Sequence, residues 1–309
     1  MRVVFLGNDA WSVPPLRALS DSRHEVALVA TRVPRPAGRG GRLRPTPVAE
    51  AAHSLGLPLA EVETVKRGTG LEVVQGAAPD VLVVVAYGEI LPKEVLEIPR
   101  RAPVNVHFSL LPALRGPDPV RRAILDGVDV TGVTTIRMDE GADTGPILLQ
   151  QEEPVHDNDE AGSLGARLAE LGGSVLVRTL DRLEDGDLDE RPQDEAAATI
   201  AAKLRPEEEW IDWSEDATRV CLRVRALAPD PGARTRFRDR ILKVLRARVG
   251  DGVGEPGSIT AVSKDALSVA AGSGVVFLEE VLPEGRNRMS GPEFVRGYRP
   301  EAGERLSSG

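Results

Sequence analysis

The stretch RVVFLGNDAWSVPPLRALSDSRHEVALVA, residues 2–30, decides the fold. After Arg2, residues 3–6 are a continuous apolar run ending at Gly7, the pattern of a strand buried on both faces. Residues 13–19 suit a short helix, and residues 24–30 form a second strand whose apolar part is 26–30. Strand, helix and strand at this spacing predict a parallel α/β sheet of Rossmann-like topology. The turn FLGNDAW lacks the G-x-G-x-x-G pattern, so a nicotinamide dinucleotide is not expected. Further along, residues 79–88 are a near-continuous apolar strand that ends at Ala86-Tyr87-Gly88-Glu89-Ile90-Leu91-Pro92. Ligands of open α/β sheets sit at such carboxyl ends.

The chemistry concentrates in residues 103–145, PVNVHFSLLPALRGPDPVRRAILDGVDVTGVTTIRMDEGADTG. Residues two apart in a strand share a face, so Asn105 and His107 point the same way. An amide donor beside an imidazole can stabilise a developing oxyanion. Asp143 follows on a turn-rich run framed by Gly141 and Gly145, after a second β-rich segment. A carboxylate there can orient the imidazole or move a proton. Alone, His107 reads as a core histidine and Asp143 as a turn aspartate; together the three predict a catalytic constellation. Alternation along the strand turns Phe108 away from His107.

NVHFSLLPALRG and MDEGADTGPIL resemble the two signatures of the formyltransferases that use 10-formyltetrahydrofolate. That family takes glycinamide ribonucleotide, sugar nucleotides or methionyl-tRNA as acceptor. The resemblance implies catalysis by Asn105, His107 and Asp143. It implies folate contacts from Ser109, Leu110, Leu111 and Pro112, from Tyr87, Gly88, Ile90 and Leu91, and from Asp139 and Gly141. It implies no metal. Two departures are visible: Phe108 replaces a small residue, and Pro117-Asp118-Pro119 replaces a small-residue run.

The acceptor is read elsewhere. Residues 31–45 hold five arginines and no acid among many glycines and prolines, which predicts a mobile loop without regular structure. Arginine favours bidentate phosphate contact. RPAGRG followed by L-x-P-T-P is similar to the loop that methionyl-tRNA formyltransferases insert after their second strand to reach initiator tRNA. Arg35, Arg39 and Arg42 are its expected RNA contacts. The runner-up readings are a sugar-nucleotide N-formyltransferase, which has little use for this loop, and an RNA-binding homologue with weakened catalysis.

At 309 residues the chain suits two domains. We expect a catalytic domain over 1–189, a linker over 190–203 and a smaller C-terminal β-barrel over 204–309. The last is read from short β-prone runs at 241–249, 257–262, 267–271 and 275–282. Leu164, Leu168, Leu171, Val175, Thr179 and Leu183 fall at helical spacing and predict a long amphipathic helix. The net charge of −9 lies entirely before residue 204. Residues 219–248 hold ten basic residues against Asp230 and Asp239. This predicts a basic face, with Arg236 and Arg238 touching tRNA. One cysteine, no twenty-residue apolar run and no signal-like N-terminus point to a cytoplasmic protein without membrane contact, expected as a monomer.

Overall fold

The computed structural model describes residues 1–37, 42–263 and 267–309, with Ala37 and Arg42 described by backbone alone. The chain packs as two compact units. The first comprises Met1–Pro119, Val130–Pro154 and Gly165–Ala201; the second comprises Val120–Asp129, Val155–Leu164 and Ala202–Gly309.

In chain order the strands of the first half are β1 (Arg2–Gly7), β2 (Glu25–Arg32), β3 (Arg35–Ala37), β4 (Arg42–Arg44), β5 (Leu59–Val62), β6 (Val81–Val85), β7 (Ala102–His107), β8 (Val130–Arg137) and β9 (Ile147–Pro154). The helices are α1 (Val13–Ser20), α2 (Pro47–Ser54), α3 (Gly68–Gly76), α4 (Lys93–Leu96), α5 (Pro119–Asp126) and α6 (Ala161–Asp185). The sheet of the first unit runs β5-β2-β1-β6-β7-β8-β9. Its first five strands are parallel; β8 and β9 close it antiparallel. The chain leaves β1 towards β2 and β5, then returns to β6 on the other side of β1. That reversal opens the crevice where α/β folds bind ligands.

Why these residues build this sheet is plain from burial. Every residue of β6 is buried, and Val3, Val4, Phe5 and Leu6 of β1 are fully so. Helices therefore cover both faces. One face gathers Val4, Leu6, Leu82 and Val84 with Tyr87, Leu91 and Val95. The long helix α6 begins after Asp157 and Asp159 and stops at Gly186, whose φ of 74° suits a residue without Cβ. Leu164, Leu168, Val175 and Thr179 are fully buried along it, and the Thr179 hydroxyl lies 2.8 Å from that of Thr135 on β8.

The expectation of a loop without regular structure over 31–45 is corrected. β3 and β4 pair antiparallel, with Arg35 opposite Arg44 and Pro36 opposite Leu43. A two-stranded ribbon needs only backbone hydrogen bonds, so the lack of an apolar face that argued against a regular element does not forbid it. Leu43 accordingly stays two-thirds exposed.

The second unit contains α7 (Ala217–Leu227), β10 (Ala233–Phe237), β11 (Arg240–Gly250), β12 (Ile259–Val262), β13 (Leu267–Ala270), β14 (Val275–Pro283), β15 (Met289–Ser290), α8 (Gly291–Tyr298) and β16 (Leu306–Ser307). The antiparallel order is β12-β13-β14-β11-β10-β16. The ends of this order meet: Ser258 bridges Arg305, Ile259 N donates to Glu304 O at 2.8 Å, and Leu306 N donates to Gly257 O at 2.8 Å. That satisfies the edges and makes the small barrel-like sheet expected from the spacing of the runs. Trp213, Val220, Val224, Phe237, Val244, Val276 and Phe294 fill it.

An ion pair ties α5 to the segment before α7 within this unit. Arg122 Nη1 and Nη2 donate to Glu208 Oε1 and Oε2 at 2.7 and 3.1 Å. The guanidinium, helped by the Arg205 N–H, holds the Glu208 carboxyl down at about 2, against an ordinary 4.5. A carboxyl depressed by folding stabilises fully above its unfolded value and ceases to do so as pH falls through the folded one. We expect Glu208→Gln to cost about 1–3 kcal/mol at neutral pH. The stability difference between variant and wild type should shrink between pH 4.5 and about 2. Chemical denaturation across that window reads it; a difference independent of pH refutes the pair's contribution.

Candidate active site

At the carboxyl end of β7 the three predicted side chains converge. Asn105 Nδ2 donates to Asp143 Oδ1 at 3.0 Å. His107 Nδ1 lies 3.5 Å from Asp143 Oδ2, and Gly116 N donates to that same oxygen at 2.9 Å. His107 Nε2 is 2.9 Å from Leu114 O. A carbonyl only accepts, so Nε2 carries the hydrogen and Nδ1 is the atom left to exchange a proton. His107 is buried and Asp143 partly so, which limits competition from water.

Local sequence explains the placement. Asn105 and His107 share one face of β7, whereas Phe108 turns to the opposite side, 5% exposed and edge-on to Trp11 at 6.3 Å. The larger residue therefore leaves the imidazole's face clear, which removes one of the two motives, Phe108 and the basic face, for a catalytically weakened reading. The Asp143 loop is short and closed on itself: Asp139 Oδ1 accepts from Gly141 N at 3.0 Å and Thr144 Oγ1 at 2.7 Å. Asp143 itself adopts φ 58°, in the left-handed region. The departure at Pro117-Asp118-Pro119 opens α5, and Asp118 N donates to Ala201 O.

Most residues expected at folate follow the neighbouring strands β6 and β7, while Asp139 and Gly141 lie in the loop after β8. Ala86 and Gly88 have φ of 43° and 76°, so the chain after β6 turns sharply. Asn8, just after β1, donates from Nδ2 to Tyr87 O and accepts at Oδ1 from Thr31 Oγ1 and Arg32 N. Glu89 accepts from Arg32 and Thr64 at 2.9 Å each. The Tyr87 ring is in the core, where burial raises its phenol to about 12; what it can offer a ligand is main chain. Leu91 is likewise core, but Ile90 is 70% exposed at the rim. Following β7, Ser109 Oγ donates to Ala113 O at 2.7 Å, and Thr134 Oγ1 donates to Ser109 O at 2.6 Å. Gln150 Nε2 donates to Leu111 O at 2.7 Å. Leu110 and Pro112 stay half-exposed. Turned main chain after β6, exposed Ile90 and half-exposed Leu110 are groups of the kind that can take a flat heterocycle with polar edges. Among the described residues no group of acids, histidines or cysteine could hold a metal.

Sequence reading missed the supports: Gly116, Thr134, Gln150, Arg115 and Gln193. Arg115 and Gly116 close the NVHFSLLPALRG stretch, but each of the five acts through a contact far away in sequence, which local pattern does not show.

The residues expected at RNA are spread differently. Arg35 is exposed on β3; Arg39 and the side chain of Arg42 lie outside the described residues. The basic excess of 219–248 is largely met by acids and carbonyls from elsewhere in the second unit. Arg223 pairs with Glu215, Arg234 with Glu209, Arg246 with Glu160 and Arg248 with Glu279. Arg225 donates to Asp159 O and His156 O. Arg238 is bound to Glu304, Tyr298 O and Arg299 O. Arg236, by contrast, is exposed on β10 with its guanidinium 5.3 Å from the centroid of Trp210.

A family model described as "Formyl transferase" matches residues 1–180, and one described as "Formyl transferase, C-terminal domain" matches residues 203–299. The chain belongs to the formyl transferase family. Within it, the chain is 44% identical over 307 residues to the methionyl-tRNA formyltransferase of Acidithiobacillus ferrooxidans, spanning 99% of this chain and 98% of that one. Its place is with the methionyl-tRNA formyltransferases. HypX from Aquifex aeolicus, solved in complex with tetrahydrofolic acid, superposes with a TM-score of 0.66 at 20% identity over 98% of this chain and 48% of its own. An N-formyltransferase from Helicobacter canadensis, solved with folinic acid and dTDP-3-aminofucose, gives 0.65 at 14% identity over 89% and 98%. At these identities the likeness is one of fold.

Proposed function

We propose that the chain transfers the formyl group of 10-formyltetrahydrofolate to the free amino group of methionyl-initiator tRNA. The observation that carries the chemistry is the convergence of Asn105, His107 and Asp143 at the end of β7. Near full-length similarity to a methionyl-tRNA formyltransferase supports the acceptor over an amino-sugar nucleotide.

The folate supplies the formyl carbon and leaves as tetrahydrofolate. Asn105 spends one N–H on Asp143 and keeps the second for the formyl oxygen as attack by the amine gives it negative charge. His107 Nδ1 adds a second donor to that oxygen when it carries a proton. Asp143, with Oδ1 held by Asn105 and Oδ2 by Gly116, receives the proton that the attacking amine gives up, directly or through water, and returns it to the folate nitrogen as its bond to the formyl carbon breaks. Residues 86–92 and 109–112 hold the heterocycle through main chain, and Asp139 and Gly141 add further folate contacts. Arg35, Arg39 and Arg42 contact the acceptor RNA. The chain acts as a monomer in the cytoplasm, where charged tRNA and folate meet.

The deciding test is a transfer assay offering charged initiator tRNA, charged elongator tRNA and an amino-sugar nucleotide. Formylation of the first in strong preference to the others is expected; preference for the sugar refutes the acceptor. Arg236 supplies a further check. Neutralising one phosphate contributes roughly 0.7–0.9 to the slope of log affinity against log salt. Arg236→Ala is expected to flatten that slope by one such contact and leave folate binding unchanged. Arg238→Ala should instead lower Tm, since it unties Glu304 and two carbonyls. An unchanged slope in Arg236→Ala removes that residue from the RNA surface.

A further inference from the structure

We infer that Gln193 is a positioning residue for formyl transfer: its side-chain amide holds the main chain of the Asp143 loop and so fixes the carboxylate against Asn105 and His107. The inference rests on the role proposed for Asp143.

Gln193 belongs to the stretch that reads as a linker, yet that stretch is tied down within the first unit. Ile147 and Arg191 exchange main-chain hydrogen bonds at 2.7 and 2.9 Å, and Arg115 N donates to Thr199 O at 2.8 Å. Gln193 is half-buried, while residues 191, 192 and 194–197 are exposed. Both amide hydrogens are used: Nε2 donates to Asp143 O at 2.8 Å and to Gly145 O at 2.7 Å. Oε1 accepts from Arg115 Nε at 3.0 Å. The amide has one workable orientation, because reversing it sets NH2 against a guanidinium and oxygen against two carbonyls.

Arg115 is 4% exposed and fixed by two 2.8 Å hydrogen bonds to Glu195. The next residue, Gly116, donates to Asp143 Oδ2. Gln193 thus grips Asp143 from its main-chain side, while the Arg115–Gly116 turn grips the carboxylate. The clamp also holds Asp143 at φ 58°, a left-handed conformation that aspartate adopts more readily than most residues with a Cβ but less readily than the right-handed one. A freed loop relaxes out of it and carries the carboxylate away from Asn105. Gln193 touches none of the reacting side chains, so it acts through the loop alone.

The test compares Gln193→Ala, Gln193→Glu and Glu195→Ala in the full chain, with formyl transfer to charged initiator tRNA as readout. A displacement of about 1 Å in a reacting group can cost about a hundredfold in rate. Gln193→Ala should therefore lower kcat by roughly tenfold to a hundredfold, with KM for donor and tRNA within about twofold. Gln193→Glu keeps the acceptor for Arg115 but sets a carboxylate oxygen against two carbonyls, so it should fall at least as far. Glu195→Ala loosens Arg115 without touching the loop carbonyls and should be much milder. Wild-type kcat in Gln193→Ala, rescue by Gln193→Glu, an effect confined to KM, or an equal loss in Glu195→Ala each overturns the inference. Asp143→Asn is measured alongside. If it stays active, the role of Asp143 fails; if it is inactive while Gln193→Ala turns over normally, only the role of Gln193 fails.

Discussion

Asp143→Asn is expected to reduce formyl transfer by at least about a hundredfold while leaving tRNA and folate affinity close to wild type. The carboxylate presents acceptors on both oxygens, to Asn105 Nδ2 at 3.0 Å and to Gly116 N at 2.9 Å, with His107 Nδ1 at 3.5 Å. An asparagine can satisfy only one of these donors with its oxygen; its NH2 must then face the other. It also cannot take the proton that the attacking amine loses. Volume is preserved, so the fold should hold and Tm should move little. Single-turnover measurements at saturating tRNA and folate isolate the chemical step. A variant retaining more than about a tenth of the wild-type rate contradicts the proton-relay role.

The second large effect is expected at Gly145, through geometry instead of proton chemistry. A Cβ there would stand 1.8 Å from Arg137 O and 3.4 Å from Asp139 N. Those are main-chain atoms at the start of the same loop, unable to step aside as a flexible side chain can. Gly145→Ala must open the loop, separating Gly145 O from Gln193 and shifting Asp143 two residues earlier. We expect transfer to fall by about a hundredfold or more. The disturbance should stay local, costing about 1–3 kcal/mol of stability. Thermal unfolding and kcat measured on the same preparation check both halves. Normal kcat in a folded Gly145→Ala protein would refute the requirement for this loop geometry.

Much of the framework was decided by local pattern. The unbroken apolar runs of β1 and β6, the helix-spaced leucines of α6 and the short β-prone runs after residue 240 have physical meanings that hold in almost any context. The shared face of Asn105 and His107 also follows from strand alternation alone, as does the outward turn of Phe108. Tertiary structure decided everything that depends on partners distant in sequence. The ribbon of β3 and β4 exists because two arginine-rich segments can share backbone hydrogen bonds, which composition does not reveal. The basic excess of residues 219–248 is largely spent on acids and carbonyls elsewhere in the second unit, so Arg238 is committed while Arg236 stays exposed. Gln193, in a segment that reads as a linker, meets Asp143 across fifty positions of chain. A sequence pattern reports which face a side chain shares with its neighbours; only the fold determines which distant carbonyl or carboxylate waits there, because that requires the chain to close on itself.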